Sequence, residues 1–96
     1  MTVRWTEHAS SRLNEIKEYI ASDNPRAAVN QVRLIVDATR QLGHFPESGR
    51  NGRVEGTREL VVPGTPYIVP YRIQADVVQL LSIEHSAQQW PEHFSR

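Results

Sequence analysis

"EGTRELVVPGTPYIVPYRI", residues 55–73, decides the fold. It reads as two strands joined by a turn. Apolar, β-prone residues flank the "VPGTP" link at 62–66, and so short a link makes antiparallel neighbours. In the second run Tyr67, Val69, Tyr71 and Ile73 alternate onto one face, and Ile68, Pro70 and Arg72 onto the other. Pro70 removes a ladder donor. Its place is therefore an edge or a bulge, not a regular strand paired on both sides. Near a free edge it would also limit uncontrolled strand pairing. Arg58 and Arg72 lie in or beside these apolar runs and need a reason for being there.

Outward from this stretch, the first run spans about 54–62, the second 67–74, and a third, after "QAD", about 77–85. In the third, simple alternation puts Val77, Gln79, Leu81, Ile83 and His85 on one face and Val78, Leu80, Ser82 and Glu84 on the other. Upstream, "GHFPESGRNGR" at 43–53 holds three glycines and a proline and reads as a loop.

Two helices precede the loop. Thr6 caps the first, in which Ala9, Leu13, Ile16 and Ile20 form one apolar stripe with Tyr19 at its edge. "SDNPRAAV" stops one helix and starts the next, with Asp23 or Asn24 as cap and Pro25 at the first helical position. The second helix runs to about Leu42 and buries Ala28, Val32, Ile35 and Leu42, with Val29 and Val36 widening the stripe. Gly43 is placed to close it in a left-handed conformation. The short connection makes an antiparallel helical hairpin. "TVRW", with Val3 and Trp5 on one face, opens the chain as a short strand.

The order is β-α-α-β-β-β. This is an α+β fold, with the hairpin packed on one face of a small antiparallel sheet. The 96 residues are read as a single domain, 1–96, with a modest core and no deep private cavity. The absence of cysteine excludes disulfides and thiolate metal sites and fits a reducing cytoplasm. The N-terminus "MTVRWTEHAS" has no apolar core of a signal peptide. No apolar run approaches the ~18 residues of a membrane span.

Net charge is zero, with 11 basic and 11 acidic residues, so the long-range footprint of a nonspecific nucleic-acid binder is missing. The charge is unevenly spread. Residues 26–58 carry six arginines against three acids, while Lys17 is the one lysine. His8, His44, His85 and His93 show no i, i+4 ligand pair, and no metal or cofactor is implied. "PESGRNGR" lacks the spacing of a phosphate-binding P-loop and reads as a mobile loop needing glycine conformations.

The order and the pieces "VRWTEHA", "RLNEIKEYIA", "DNPRAA", "FPESGR", "TRELVV", "YIVPYRI" and "VVQLLSIEH" resemble the ParE/RelE superfamily of bacterial toxins from type II toxin–antitoxin modules. The resemblance covers nearly the whole chain. It implies a toxin neutralised by a cognate ParD/RelB-like antitoxin, which wraps it with a helix and an extended segment. Helix-in-groove docking and strand addition both suit a hairpin on a small sheet.

The superfamily divides into two activities. RelE-like members cut mRNA on the ribosome, whereas ParE-like members poison DNA gyrase. Cleavage by 2′-OH attack needs a proton acceptor, a stabiliser of the charged transition state and help for the leaving oxygen. RelE-like toxins supply these with basic residues on the central strands and a C-terminal tyrosine or histidine. At matching positions this chain offers Arg58, but then Leu60 and Tyr67, and "IEHSAQQW" replaces the C-terminal basic pair.

Resemblance therefore favours a ParE-like gyrase inhibitor, with Arg58, Tyr67, Arg72, His85 and Trp90 as partner-binding candidates. The alternative is a ribosome-dependent mRNA endonuclease using Arg58, Arg72 and His85. A third reading is an inactive module that only binds antitoxin. Plainer roles stand beside these. Arg58 can pair with Glu59 or Glu84, Arg72 can tie the sheet to a loop, and His85 can be a structural hydrogen-bond donor. Tyr67, Tyr71 and Trp5 read as packing residues, and Trp90 as either a tail clasp or a partner contact.

Overall fold

The computed structural model describes residues 1–94. Thr6 and Asn24 both act as helix caps. The Thr6 hydroxyl accepts from Ala9 N–H (3.1 Å) and donates to the Leu80 carbonyl (2.7 Å), so one side chain starts helix α1 (Glu7–Ala21) and ties it to the sheet. Asn24 accepts from Ala27 N–H (3.1 Å) and leads Pro25 into helix α2 (Pro25–Gln41). Of the predicted stripes, Ala9, Ile16, Ala28, Ile35 and Leu42 are buried. Leu13 and Ile20 pack on the core from its rim.

α2 differs from the expected pattern in several places: Val32, expected in the core, is only half-buried, as is Val36. Val29 is 68% exposed rather than part of the buried stripe, and Thr39 is buried, its hydroxyl bonded back to the Val36 carbonyl (2.8 Å). Gly43 does not take a left-handed conformation; among the described residues only Gly56, Gly64 and Ala75 have positive φ. Its role is close approach. A Cβ there would meet the Met1 carbonyl oxygen at 3.0 Å, and the Met1 ammonium donates to the Gly43 carbonyl (2.9 Å).

The sheet holds β1 (Thr2–Trp5), β2 (Arg50–Asn51), β3 (Arg58–Val61), β4 (Tyr67–Gln74), β5 (Val77–Leu80) and β6 (Glu84–His85). Their order is β1-β5-β4-β3-β2, with β6 also on β4. The α+β architecture is as expected, but the sheet is mixed rather than antiparallel throughout, because β1 runs parallel to β5. A short link forces antiparallel pairing; the connection from β1 to β5 carries both helices and three strands, so no such constraint applies. The loop at 43–53 also contributes a two-residue strand, β2, which pairs with the start of β3.

Pro70 is not at an edge. It is buried in β4, the central strand, and its missing donor is accommodated by a bulge. β4 pairs with β5 from Tyr71↔Leu80 to Gln74↔Val77 and with β6 at Ile68↔Glu84 and Tyr67↔His85. Between these ladders Val69 and Pro70 face three residues, Leu81, Ser82 and Ile83. The Pro70 carbonyl accepts from Leu81 N–H (2.9 Å). In a strand, a residue's N–H and C=O point to the same neighbour, so the absent Pro70 donor faces the bulge.

The extra residue also breaks the alternation expected across 77–85. Val78, Leu80 and Ile83 join Tyr67, Val69 and Tyr71 in the core under the helices. His85 pairs with Tyr67, while Gln79 pairs with Arg72 on the opposite face.

Candidate partner-binding site

Glu59 is held by several polar bonds at once. It lies on β3 opposite Pro70, on the face away from the helices, and is buried. Its carboxylate accepts from Arg50 Nε (3.0 Å), Arg53 Nε (3.1 Å) and Arg53 backbone N–H (2.8 Å), with Arg50 Nη2 at 2.9 Å. Burial pushes the Glu59 carboxyl upward. The Arg53 backbone donor and the two guanidiniums outweigh it and hold the group below its usual range. Arg53 in turn lies over Trp90, with Cζ 3.5 Å from the ring centroid. Trp90 Nε1–H donates to the His85 carbonyl (3.1 Å). A chain of contacts thus runs from β3 through Arg53 to the tail and back to β6.

A second cluster lies where α1 passes the start of β4. An open pocket of about 520 Å³ is lined by Arg12, Glu15, Tyr19, Tyr67, His85 and Gln88. Arg12 Nε donates to the Ile83 carbonyl (3.0 Å) in the bulge, and Nη1 to Glu15 (3.0 Å). The Glu84 carboxylate, 4.0 Å from Arg12 Nε, accepts from the Ser82 hydroxyl. Tyr67 and His85 meet edge to face, with centroids 5.7 Å apart. Burial raises the Tyr67 hydroxyl above its ordinary pKa, against a weaker opposing pull from Arg12.

Of the candidate residues, the structure brings Tyr67 and His85 together and sets Trp90 beside them through the His85 carbonyl. Arg58 and Arg72 lie elsewhere. Arg58 pairs in register with Tyr71 and donates to the Glu47 carbonyl (2.9 Å), so the expected carboxylate partners, Glu59 and Glu84, are not what it binds. Arg72 follows Tyr71 in β4 and so lies on the other face, paired with Gln79. Arg58 and His85 flank β4 at Tyr71 and Tyr67, four residues and two strand spacings apart. That is ~13 Å along the strand and ~10 Å across it.

Arg58, Arg72 and His85 therefore do not share a site. His85 Nδ1 accepts from Ala87 N–H (3.1 Å), so its structural role is as an acceptor, not as the donor anticipated from sequence.

Sequence reasoning passed over Arg12, Arg50 and Arg53, and named Glu59 only as a partner for Arg58. The signal available was one acid, Glu59, in an apolar strand below the "GRNGR" loop. A strand carboxylate that buries itself needs cations nearby. Among the described residues no group of three or more His, Asp or Glu side chains is placed to hold a metal ion, and no helix is long and apolar enough to cross a membrane.

A helical hairpin on a mixed sheet whose central strand carries a proline facing a bulge of its neighbour, with polar contacts spread over separate faces, defines a small α+β protein of the RelE/ParE type. Comparison with known proteins makes this specific. The family described as "ParE toxin of type II toxin-antitoxin system, parDE" matches residues 3–90, and the chain belongs to it. It is 49% identical over 90 residues to a protein of Sinorhizobium fredii (strain NGR234) provisionally named toxin Y4kP, spanning 94% of this chain and 93% of that one. It also resembles a solved structure titled "Chromosomal ParDE TA system from P. aeruginosa", with a TM-score of 0.81 and 27% identity over 88% of this chain and 95% of the other.

Proposed function

We propose that this chain is a toxin that inhibits DNA gyrase by docking on it and is held inactive by a cognate antitoxin. Family membership supports the toxin class. The observation that carries the choice of mechanism is the separation of Arg58, Arg72 and His85 across two faces and two ends of β4. A phosphodiester-cleaving site needs acid, base and charge stabilisation within reach of one phosphate. Arg50 and Arg53 do not supply the missing cations, because both are committed to Glu59. Docking needs no such convergence. Its energetic anchors are aromatic side chains at a partly buried surface, which Tyr67 and Trp90 supply.

The test is induction of the chain in bacteria without antitoxin, with plasmid supercoiling and a translated reporter message followed in parallel. A gyrase inhibitor gives filamentous cells, a DNA-damage response and altered supercoiling while the message stays whole. Early loss of translation with cut message would contradict the proposal. Co-expressed antitoxin restores growth if neutralisation is right.

A further inference from the structure

Asn51 and Gly52, inside "GRNGR", form a dipeptide with a reactivity of its own. The side-chain amide of an asparagine is open to attack by the backbone nitrogen of the next residue. Glycine obstructs that attack least, because it carries no Cβ.

The fold requires the glycine. A Cβ at Gly52 would lie 2.7 Å from the Thr57 carbonyl oxygen and would also strike the Thr57 hydroxyl, so a side chain does not fit there. Nothing comparable restrains the asparagine. Asn51 is exposed, and its side chain has no hydrogen-bond partner among the described residues. With Gly52, Gly56 and Thr57 it borders a shallow hollow of about 410 Å³, which leaves room for the amide to turn back on the chain. The other asparagines are shielded. Asn14 and Asn30 lie inside α1 and α2, where the following N–H is held in the helix. Asn24 precedes Pro25, which has no N–H.

The nucleophile at this site is the Gly52 nitrogen, whose N–H donates to the Thr57 carbonyl (2.8 Å). That bond adjoins β2, which is two residues long, lies at the outer edge of the sheet and pairs with β3 alone. Short edge pairings belong to the low-stability end of local opening.

We propose that Asn51 is a site of spontaneous deamidation, released by opening of the β2 edge. The Gly52 nitrogen gives up its proton and bonds to Asn51 Cγ. The Cγ–Nδ2 bond breaks and Nδ2 leaves as ammonia. Water then opens the resulting cyclic imide. Opening at Cγ leaves aspartate; opening at the backbone carbonyl leaves isoaspartate, with the chain rerouted through Cβ. The sum is asparagine and water giving acid and ammonia. Aspartate adds a charge opposite Arg58 in register. Isoaspartate also lengthens the backbone between Arg50 and Arg53, the two residues that hold Glu59, and so loosens the link through Arg53 to Trp90. The chemistry is the same whichever target the toxin engages, so failure of one reading leaves the other standing.

The test incubates the full chain at neutral pH beside a synthetic peptide of residues 48–55. Peptide mapping by mass spectrometry follows each asparagine, and enzymatic methylation marks isoaspartate. Asn51 should change roughly tenfold or more faster than Asn14, Asn24 or Asn30, and more slowly than in the peptide by the factor that protects the Gly52 amide from hydrogen exchange. Asn51→Gln should remain unmodified over the same period. The isoaspartyl fraction, separated by its added negative charge, should show faster amide exchange at Ala87 and beyond. Asn51→Asp, with the charge but not the rerouted backbone, should not.

An Asn51 that changes no faster than Asn14 and Asn30 would overturn the proposal. Slowing by the full unfolding constant, in place of the smaller Gly52 protection factor, would overturn the edge as the gate. Tail exchange unmoved in the isoaspartyl form, or moved equally in Asn51→Asp, would overturn the backbone route to the tail.

Discussion

Arg53 is held from two sides, its Nε and backbone N–H by Glu59 and its guanidinium face by Trp90, 3.5 Å away. The irregular tail after β6 is thereby fastened to β3, with the link passing through one arginine. Of the two roles that sequence left open for Trp90, the clasp is the one with visible contacts. The clasp does not remove Trp90 from partner binding, since its half-exposed ring remains within reach.

Arg53→Ala and Trp90→Ala should each free the tail without unfolding the sheet. Their coupling in a double-mutant cycle should be about 0.5–1 kcal/mol, as for cation–π contacts near the surface. Amide hydrogen exchange should rise at Ala87, where the N–H is bonded to His85, and in the residues that follow. Exchange in β4 should stay slow. Unchanged exchange in the tail would mean that it is fastened by other contacts.

Glu59→Gln should destabilise the fold by about 1–3 kcal/mol at neutral pH, because charge-assisted bonds to two arginines are weakened at a buried site. The pH dependence follows from the direction of its shift. The folded-state pKa lies below the ordinary carboxylate value of 4.5, so the ionised carboxylate stabilises the fold above that value. The contribution falls away as pH drops through the lower, folded pKa. Denaturant midpoints between about pH 3 and 7 should therefore slope more steeply for wild type than for Glu59→Gln. Parallel slopes would contradict this.

Gly49 and Tyr71 form a tight pair. The Tyr71 hydroxyl accepts from Gly49 N–H (2.9 Å) and donates to the Pro46 carbonyl (2.7 Å), pinning the 43–53 loop to the buried centre of β4. A Cβ at Gly49 would lie 2.6 Å from that hydroxyl and 2.8 Å from the Glu59 carbonyl. Gly49→Ala should cost about 1–3 kcal/mol by overpacking. Tyr71→Phe should cost a similar amount by leaving a buried N–H without its acceptor. Urea unfolding of the two variants measures both; a neutral Gly49→Ala would show that the loop is free to move off Tyr71.

Much of this architecture was legible because its determinants are local. Thr6, Asn24 and Pro25 set the helix starts, and the alternation at 67–73 sets the face of β4. What was not legible depends on pairing between distant segments. The parallel β1–β5 pair has no local signature. The bulge opposite Pro70 shifts Ile83 and His85 to the other face, and a strict two-residue period cannot register an inserted residue. Pro70 did announce an irregularity, though not that it sits in the central strand. Of the candidate site, Tyr67, His85 and Trp90 proved to be neighbours or linked, while Arg58 and Arg72 did not join them. Parity along one strand separates Arg72 from Tyr71, but only the register with β3 and β6 shows how far Arg58 lies from His85.

The central claim is that this toxin acts by docking and not by cutting RNA. The most direct measurement adds purified chain to a reconstituted translation mixture and, separately, to purified gyrase with relaxed plasmid. Intact message on the ribosomes and inhibited supercoiling are the expected result. Message cut in the ribosomal mixture, with cutting lost on Arg58→Ala, Arg72→Ala or His85→Ala, would contradict it.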